Sequence, residues 1–549
     1  MDKRFFLAVA LAIGVLFLTP KLFPPAPVPT PPASADSAAI APTAPVVSGA
    51  PAAAPLAGVP GTKAETASVV TPKATFRFSS AGGSLIGASL ADYTVLPKRA
   101  HVLELARPGT ALVAYRVVRG NDTLDLQHID FHVDAASALA VEYSAKMPMA
   151  AMSLRYTFAA DSYLVRVSGV LRSADSAPVR LAVMLPRGLA SSEADTLDDQ
   201  RNLAFVWKPR SDDAESVPFA KLVKNALGNK AAIPQAGPFD WIASKSKYFL
   251  LAVLASPRGE LSGPALFSAP PDSAKVPAAA NGEVIITPDA QGAFSFEIYA
   301  GPQEWRRLVA LGRNLEHANP YGGFARSVIQ PIATLVMSVL LWMHDTFKMN
   351  YGWVLVIFGV AVRLILWPLN QSAMRSSLRM QRVQPELQAL QAKYKANPEK
   401  MHAEYMKLLA SHNMTPFSQF TGCLPMLIPM PVLFALFFVF RSTIEFRGVS
   451  FLWLTDISLK DPYYILPVLM GISMFILSWV GLRNSPPNPQ AKMMGYMMPG
   501  MMVVLFMSFP AGLNLYYAVQ NVAALPQQWL IAKERAKSPA PALAAVPRK

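Results

Sequence analysis

The apolar run 351–369 constrains the fold more than any other feature of the sequence. It reads YGWVLVIFGVAVRLILWPL and carries one charge, Arg363. About 20 consecutive apolar residues predict a helix that crosses a bilayer. An arginine cannot lose its proton, and at membrane depth it costs about 3 kcal/mol. Arg363 lies roughly 9 Å from the inner end of the run, so it either extends its side chain to the surface or lines a wet, positively charged pocket.

The composition indicates a membrane protein with a sizeable soluble part. Of 549 residues, 52% are hydrophobic and only 15% are charged, against about 25% charged in soluble proteins. The net charge of +15 favours cytoplasmic loops and anionic lipid over nucleic acid, because no soluble segment interleaves basic and aromatic residues. Cys423 is the only cysteine, which excludes disulfides within the chain and multi-cysteine metal sites.

The N-terminal part of the sequence predicts an anchor and a tether. The basic start MDKR is followed by an apolar run to Thr19. No small-x-small cleavage site follows, so we favour an uncleaved anchor over 1–19 to a signal peptide. Residues 20–70 are rich in Pro and Ala, which predicts an extended periplasmic tether.

Residues 71–318 form the predicted soluble domain. Many short alternating runs are punctuated by Gly, Asn, Asp and Ser, which predicts a large two-sheet β-sandwich. An amphipathic helix over Pro302–Leu315 closes it. One strand-like run, Thr123–Val133, carries His128 and His132. A sandwich of this kind can bind sugars, but with no carboxylate pair nearby we do not expect catalysis.

Residues 319–349 contain apolar side chains at helical spacing. This pattern predicts a helix that either spans the bilayer or lies in its interface. We favour the interfacial helix, because a span would leave a very short connection to the next one. The predicted core, 350–532, then holds five spans at about 351–369, 420–440, 463–482, 494–510 and 512–531. With the anchor, the chain has six.

The charges of the connections predict the topology. Segment 371–417 holds seven Lys or Arg and three Glu, which places it in the cytoplasm. Segment 441–462 holds three basic and three acidic residues, so it can lie outside. The tail 533–549 is basic and therefore cytoplasmic. Both termini are then cytoplasmic, and the β domain lies in the periplasm of a multi-pass inner-membrane protein.

The cytoplasmic segment 371–417 has the pattern of a helical hairpin. Apolar residues step by three and four on two arms that Asn397-Pro398 separates. One interpretation is a loop that only sets topology. The other is a docking surface formed by its basic residues, Arg375, Arg379, Arg382, Lys393, Lys395, Lys400 and Lys407.

The last span also carries polar residues at helical spacing. Asn514, Tyr517 and Asn521 lie on one side, with Tyr516 and Gln520 beside them. Tyrosines near a membrane surface are common, but amides deeper in a span point to a wet cavity. Three prolines in 420–440 bend that helix and free backbone carbonyls.

Four stretches resemble a known family: GWVLVIFGVAVRLILWPLNQSAMRSSLRMQRVQPELQALQAKY, PFSQFTGCLPMLIPMPVLFALFFVF, DPYYILPVLMGISMF and FPAGLNLYYAVQN. They resemble the YidC-type membrane protein insertases of Gram-negative bacteria, within the wider Oxa family. The resemblance implies a five-helix core around a hydrophilic groove that opens to the cytoplasm and lipid and is closed toward the periplasm. It also implies an all-β periplasmic supersandwich related to sugar mutarotases, without their activity.

The resemblance also implies the site. The groove arginine falls on Arg363 and the last-span aromatic position on Tyr517, with Tyr516 adjacent. Gly359 stands where family members often have a hydroxyl residue. The predicted groove residues are Arg363, Tyr516, Tyr517, Gln520, Asn521 and Gly359.

The implied function is insertion, folding and assembly of nascent inner-membrane proteins, alone or with the Sec translocon. The hairpin and basic tail would contact the ribosome weakly. No cofactor, metal or catalytic residue is expected, and the chain is not an enzyme. Two alternatives stay open. One is an anion transporter or channel that uses Arg363, and the other is a membrane-anchored carbohydrate-binding module.

Overall fold

The computed structural model of the chain describes residues 64–96, 101–175, 177–228, 232–257, 259–270, 276–319, 326–372, 374–375, 383, 386, 389–390, 393–394, 397–411, 430–482 and 489–537. The chain divides into two compact units, Met1–Ala318 and Asn319–Lys549. The predicted anchor, nearly all of the tether, and 420–429 of the second core span lie outside the described residues.

The first unit is built mainly from 19 described strands. The first nine are β1 (Thr66–Val70), β2 (Ala74–Ser79), β3 (Ser84–Thr94), β4 (Val102–Glu104), β5 (Ala114–Arg119), β6 (Asp122–Asp125), β7 (His132–Ser137), β8 (Ala140–Lys146) and β9 (Ala150–Phe158). The others are β10 (Leu164–Ser173), β11 (Arg180–Leu185), β12 (Ala204–Pro209), β13 (Glu215–Pro218), β14 (Ile233–Gln235), β15 (Phe239–Lys245), β16 (Phe249–Ala255), β17 (Ala265–Ser268), β18 (Asn281–Ile286) and β19 (Ala293–Pro302).

These strands form three antiparallel sheets, where the sequence predicted two. The nine-stranded sheet has the order β13-β12-β15-β16-β19-β10-β9-β8-β7, the six-stranded sheet β14-β17-β18-β11-β5-β6, and the four-stranded sheet β1-β2-β3-β4. Along the strands, buried apolar residues alternate with more exposed ones, as in β9. This alternation is expected for a strand with one face against a core.

One core joins the three sheets. The hydroxyl of Tyr115 on β5 lies 2.8 Å from that of Tyr156 on β9, and Tyr156 also donates to the carbonyl oxygen of Gly83 at 2.7 Å. The ring of Phe78 on β2 lies 4.5 Å from that of Tyr156. These residues thus connect the six-, nine- and four-stranded sheets. The buried hydroxyls are satisfied, so burial of the tyrosines carries little polar cost.

The β-rich unit also contains short helices. They are α1 (Thr196–Arg201), α2 (Phe219–Leu227) and α3 (Trp305–Leu311). The prediction of a helix over Pro302–Leu315 was too long at both ends. Strand β19 continues to Pro302. Helix α3 ends at Leu311, and the next residue, Gly312, has a φ of 72°, in the left-handed region that glycine tolerates.

The run Thr123–Val133 was wrongly predicted as one strand. Strand β6 ends at Asp125, and a 3-10 turn follows over Leu126–His128. The Asp125 carboxylate starts this turn by accepting a hydrogen bond from the Gln127 amide at 3.0 Å. His132 begins the next strand, β7. The two exposed histidines therefore do not share a strand face.

The second unit is helical in its described residues. Its helices are α4 (Arg326–Phe347), α5 (Tyr351–Ile365), α6 (Pro398–Ser411), α7 (Met430–Ser442), α8 (Ile465–Leu482), α9 (Pro489–Phe506) and α10 (Ala511–Lys537). Helix α4 packs against α5 and α7, and α8 packs against α9 and α10. Helix α10 also packs against α5 and α7. Helix α10 therefore contacts three other described helices and can position a site that several helices line.

Two helices among the described residues, α4 and α8, are long and apolar enough to cross a membrane. Helix α5 and the segments 432–442 and 495–506 are shorter apolar helices. The predicted run 351–369 is interrupted, because α5 ends at Ile365 and residues 367–372 form a separate helical segment. Pro368 explains the break, since it has no N–H to donate to Leu364.

The loop 443–464 joins α7 to α8 and is closely tied to the start of α10. The Asp461 carboxylate is 1% exposed. It accepts hydrogen bonds from the amides of Tyr463 at 3.0 Å and Leu466 at 2.7 Å. The Ala511 amide donates to the Leu459 carbonyl oxygen at 2.7 Å. The Asp461 bonds hold the end of the loop at the start of α8, and the Ala511 bond holds the start of α10 against the loop.

Candidate functional site

The candidate site lies where α5 and α8 pack on α10. Helix α10 begins directly after Pro510 and runs for 27 residues to Lys537. It is longer than the predicted span 512–531, so the first residues of the predicted basic tail are helical. Its polar side chains contact different neighbours, depending on their position around the helix.

Arg363 on α5 is held by Gln527 on α10. An Nη2 N–H of Arg363 donates to Oε1 of Gln527 at 2.8 Å. Among the described residues, Arg363 makes no ion pair, and its buried Nε has no hydrogen-bond partner. The guanidinium is therefore bonded to a neutral amide and keeps its full charge.

Gln527 itself is completely buried and is bonded on both sides of its amide. Its Nε2 donates to the carbonyl oxygen of Trp367 at 3.0 Å and to Oε1 of Gln371 at 3.2 Å. Both acceptors lie in the helical segment that follows α5. One side chain thus bonds to three residues across the packed pair.

A second bridge lies one to two turns closer to the start of α10. Nε2 of Gln520 donates to the carbonyl oxygen of Gly359 at 2.9 Å and to the hydroxyl of Tyr516 at 3.0 Å. Gly359 is buried, and a Cβ there would lie 3.1 Å from Cγ1 of Val519. The missing side chain lets the two helices approach closely.

The two tyrosines of the predicted site extend the polar face into an aromatic cluster. Tyr516 is 3% exposed, and its ring lies 6.0 Å from that of Phe358 on α5. Tyr517 is half-buried and packs edge-on against Phe506 of α9, with 5.2 Å between ring centres. Tyr516 therefore faces the arginine-bearing helix, whereas Tyr517 faces α9.

Asn521 lies on another side of α10 and contacts α8. Its Nδ2 donates to Oγ of Ser473 at 3.1 Å. The structure therefore brings Arg363, Gly359, Tyr516 and Gln520 together on the α5 side, and it places Asn521 and Tyr517 on other sides. Asn514 is fully buried and donates to the Phe506 carbonyl oxygen at 3.1 Å.

Among the predicted docking residues that the structure describes, two are paired with glutamates. Arg375 donates to both carboxylate oxygens of Glu534 on α10, at 2.8 and 3.2 Å, and this bond raises the pKa of the guanidinium. Lys407 lies 2.7 Å from Glu404 in the same helix.

The Lys393 ammonium lies 5.3 Å from the Tyr394 ring. Lys400 is exposed, and its backbone amide is capped by Asn397 at 3.1 Å. Arg379, Arg382 and Lys395 lie outside the described residues.

The sequence interpretation missed Gln527, together with its partners Trp367 and Gln371. A signal was present, because Gln527 follows Gln520 by seven residues and so lies on the same face of a helix. It lies close to the predicted inner end of the span, where a glutamine is unremarkable. The partner of Arg363 could be found only from the rotation of α10 against α5.

Comparison with known proteins covers both units. The family model described as 60Kd inner membrane protein matches residues 342–538, and the model described as YidC periplasmic domain matches residues 66–335. The membrane protein insertase YidC of Burkholderia ambifaria is 32% identical over 393 residues, which cover 69% of this chain and 66% of that protein. YidC of Anaeromyxobacter dehalogenans is 36% identical over 309 residues, 56% of this chain and 54% of that protein. The chain thus spans about two thirds or less of these relatives' lengths.

A crystal structure of an active YidC insertase is also similar. It is 18% identical, covers 86% of this chain and 94% of that chain, and has a TM-score of 0.34. That TM-score supports no conclusion about this chain. The two family models, which match neighbouring parts of the sequence, and the identity to relatives named YidC do support one: the chain belongs to the YidC family of inner-membrane proteins with a periplasmic domain.

Proposed function

We propose that this chain is a membrane protein insertase and chaperone that helps nascent inner-membrane proteins to insert, fold and assemble. The observation that carries the proposal is the environment of Arg363. Its charge lies between packed apolar helices, it is bonded to a neutral amide, and its Nε has no partner among the described residues. A cation held in this way is available to an acidic group that passes through.

The physical task of an insertase explains this arrangement. A client with a short polar N-terminal tail must move that tail through hydrocarbon, where unpaired polar groups are costly. A wet groove shortens the hydrocarbon path, and Arg363 attracts acidic residues of the tail. Transfer of the client's apolar span into lipid then drives release. No nucleotide, metal or other cofactor is required, and we propose that no part of the chain is an enzyme.

The proposed topology has six spans and both termini in the cytoplasm. Helices α5, α7, α8, α9 and α10 form the core of the groove, and α4 lies in the membrane interface. The groove is open to the cytoplasm and lipid. The loop 443–464, tied to the start of α10, closes the periplasmic end. The β unit then lies in the periplasm, in agreement with its match to a periplasmic domain.

The proposed partners follow from the surfaces on each side. Nascent inner-membrane proteins occupy the groove, alone or with the Sec translocon. The hairpin 371–417 and the basic tail 533–549 contact the ribosome weakly, through Arg379, Arg382, Lys393, Lys395 and Lys400. Arg375 and Lys407 contribute less, because each is bonded to a glutamate.

Depletion of the protein tests the proposal. Membranes without it should insert a short-tailed, single-span client poorly, and restoring the chain should recover insertion. A long-tailed client that depends on the Sec translocon serves as the comparison. Normal insertion of the short-tailed client after depletion would contradict the proposal. Unaltered client insertion together with lost anion uptake would instead support an anion transporter.

A further inference from the structure

We propose that Gln527 is a positioning residue that orients Arg363 and keeps its charge unneutralised, so that the groove selects acidic client tails. This inference rests on the proposed insertase function and assigns a role to a residue outside the predicted site. It starts from the bond between Arg363 and Gln527, at 2.8 Å.

The orientation of the Gln527 amide follows from its partners. Its Nε2 has two N–H groups, and two acceptors are within reach, the Trp367 carbonyl oxygen and Gln371 Oε1. The opposite orientation would place an N–H against the Arg363 guanidinium, which has only donors. Oε1 must therefore face Arg363. Since Gln527 is completely buried, water cannot readily replace these bonds.

A neutral amide has a specific advantage at this position. A carboxylate of the same size would form a charge-assisted pair with the guanidinium and would compete with any acidic client. An amide oxygen accepts one hydrogen bond and leaves the net charge unchanged. Arg363 is only half-buried, so the part of its guanidinium that Gln527 does not contact is left for an incoming carboxylate.

The bonds of Gln527 to α5 and to the segment after it also set the depth of the guanidinium. Gln527 bonds to Arg363 and, one to two turns further on, to Trp367 and Gln371. Rotation of α10 against this segment would break all three bonds together. The guanidinium is consequently fixed at one depth, which a long and flexible arginine side chain would not achieve alone.

The test compares two variants with a matched control. Gln527→Glu keeps the size of the side chain but pairs the charge of Arg363. Gln527→Leu keeps the approximate volume but removes the acceptor. The control is Gln528→Glu, which adds the same charge one residue further on. Oε1 of Gln528 points toward α8, 3.5 Å from the place of a Cβ on Gly481.

The measurement is the ratio of insertion of two clients that differ only in their tails. One tail carries acidic residues, and the other has the corresponding amides. The ratio should fall about tenfold in Gln527→Glu, since a bond to a charged group must be broken first. It should fall less in Gln527→Leu, and it should be unchanged in Gln528→Glu. A purely structural role would reduce insertion of both clients equally and leave the ratio as it was.

The outcomes separate this inference from the proposed function. If the unaltered chain inserts neither client, the proposed function fails. If the unaltered chain inserts both clients with a ratio of one, the positioning role is overturned. It is also overturned if the ratio stays at its original value in the Gln527 variants that accumulate in the membrane. A fall in the ratio that Gln528→Glu does not share would support it.

Discussion

Gln520 on α10 donates a hydrogen bond to the backbone carbonyl oxygen of Gly359 on α5 at 2.9 Å. Gly359 lies one helical turn before Arg363, so this bond and the bond from Arg363 to Gln527 join the same two helices at successive levels. The close approach is possible because residue 359 has no side chain. The position where family members often have a hydroxyl is thus used here for backbone contact.

Tyr516→Phe tests the support that Tyr516 gives to Gln520, whose side chain bridges α10 and α5. The substitution removes the hydroxyl that accepts from Gln520 at 3.0 Å and leaves the ring against Phe358. We expect the free energy of unfolding to fall by about 1 kcal/mol, measured by denaturation of the chain in detergent. Tyr517→Phe is the matched control, because no hydrogen bond of its hydroxyl is seen within the described residues. A larger loss for Tyr517→Phe would contradict the assignment.

The bond between Asn521 and Ser473, at 3.1 Å, should stabilise the packing of α8 on α10 without contributing to client selection. We expect Asn521→Leu and Ser473→Ala to be coupled by about 1 kcal/mol in a double-mutant cycle of unfolding free energies. The ratio of acidic-tail to neutral-tail insertion should not change in either variant. Additive effects would show that the bond contributes nothing, and a changed ratio would place Asn521 in the client path.

The folding stability of the β unit should depend on pH through Asp199 on α1. This carboxylate is 2% exposed and accepts from the Lys247 and Ser192 amides at 3.2 and 3.3 Å. Burial raises its pKa, although these hydrogen bonds oppose the rise. The folded state therefore holds the proton to a higher pH than the unfolded state, whose pKa is about 3.9. The stability falls as the pH rises between the two values.

Asp199→Asn removes this titration. Denaturation from about pH 4 to pH 7 should show that the variant gains stability relative to the unaltered chain as the pH rises. Tryptophan fluorescence can follow the transition, because Trp241 is buried within the β unit. Parallel pH profiles of the two proteins would contradict the assignment.

The sequence was enough to predict a site residue when burying that residue carried an unusual free-energy cost. Arg363 was recognisable as the only charge in an apolar run, and Gln520 and Tyr516 followed from helical spacing. Gln527 was not recognised, because a glutamine near the end of a span costs little. Its role depends on which faces of α5 and α10 meet, and side-chain periodicity within one helix does not specify that.

The fold of the β unit was predicted in class but not in arrangement. Alternation identifies strands, yet it does not say which strands pair, so three sheets were predicted as two. The run Thr123–Val133 alternates well enough to resemble a strand, and the local cap at Asp125 overrides this pattern. The break after α5 was not predicted either, because the apolar character of the run 351–369 indicated one span. Pro368 lies within that run and has no N–H for the helix.

The most direct test of the account is the insertion of a client with an acidic tail by Arg363→Ala and Arg363→Lys chains. We predict that Arg363→Ala lowers this insertion about tenfold, whereas Arg363→Lys, which keeps the charge, retains most of it. The neutral-tailed client should respond little to either substitution. If Arg363→Ala inserts the acidic-tailed client as well as the unaltered chain does, the charge held by Gln527 is dispensable, and the central claim is contradicted.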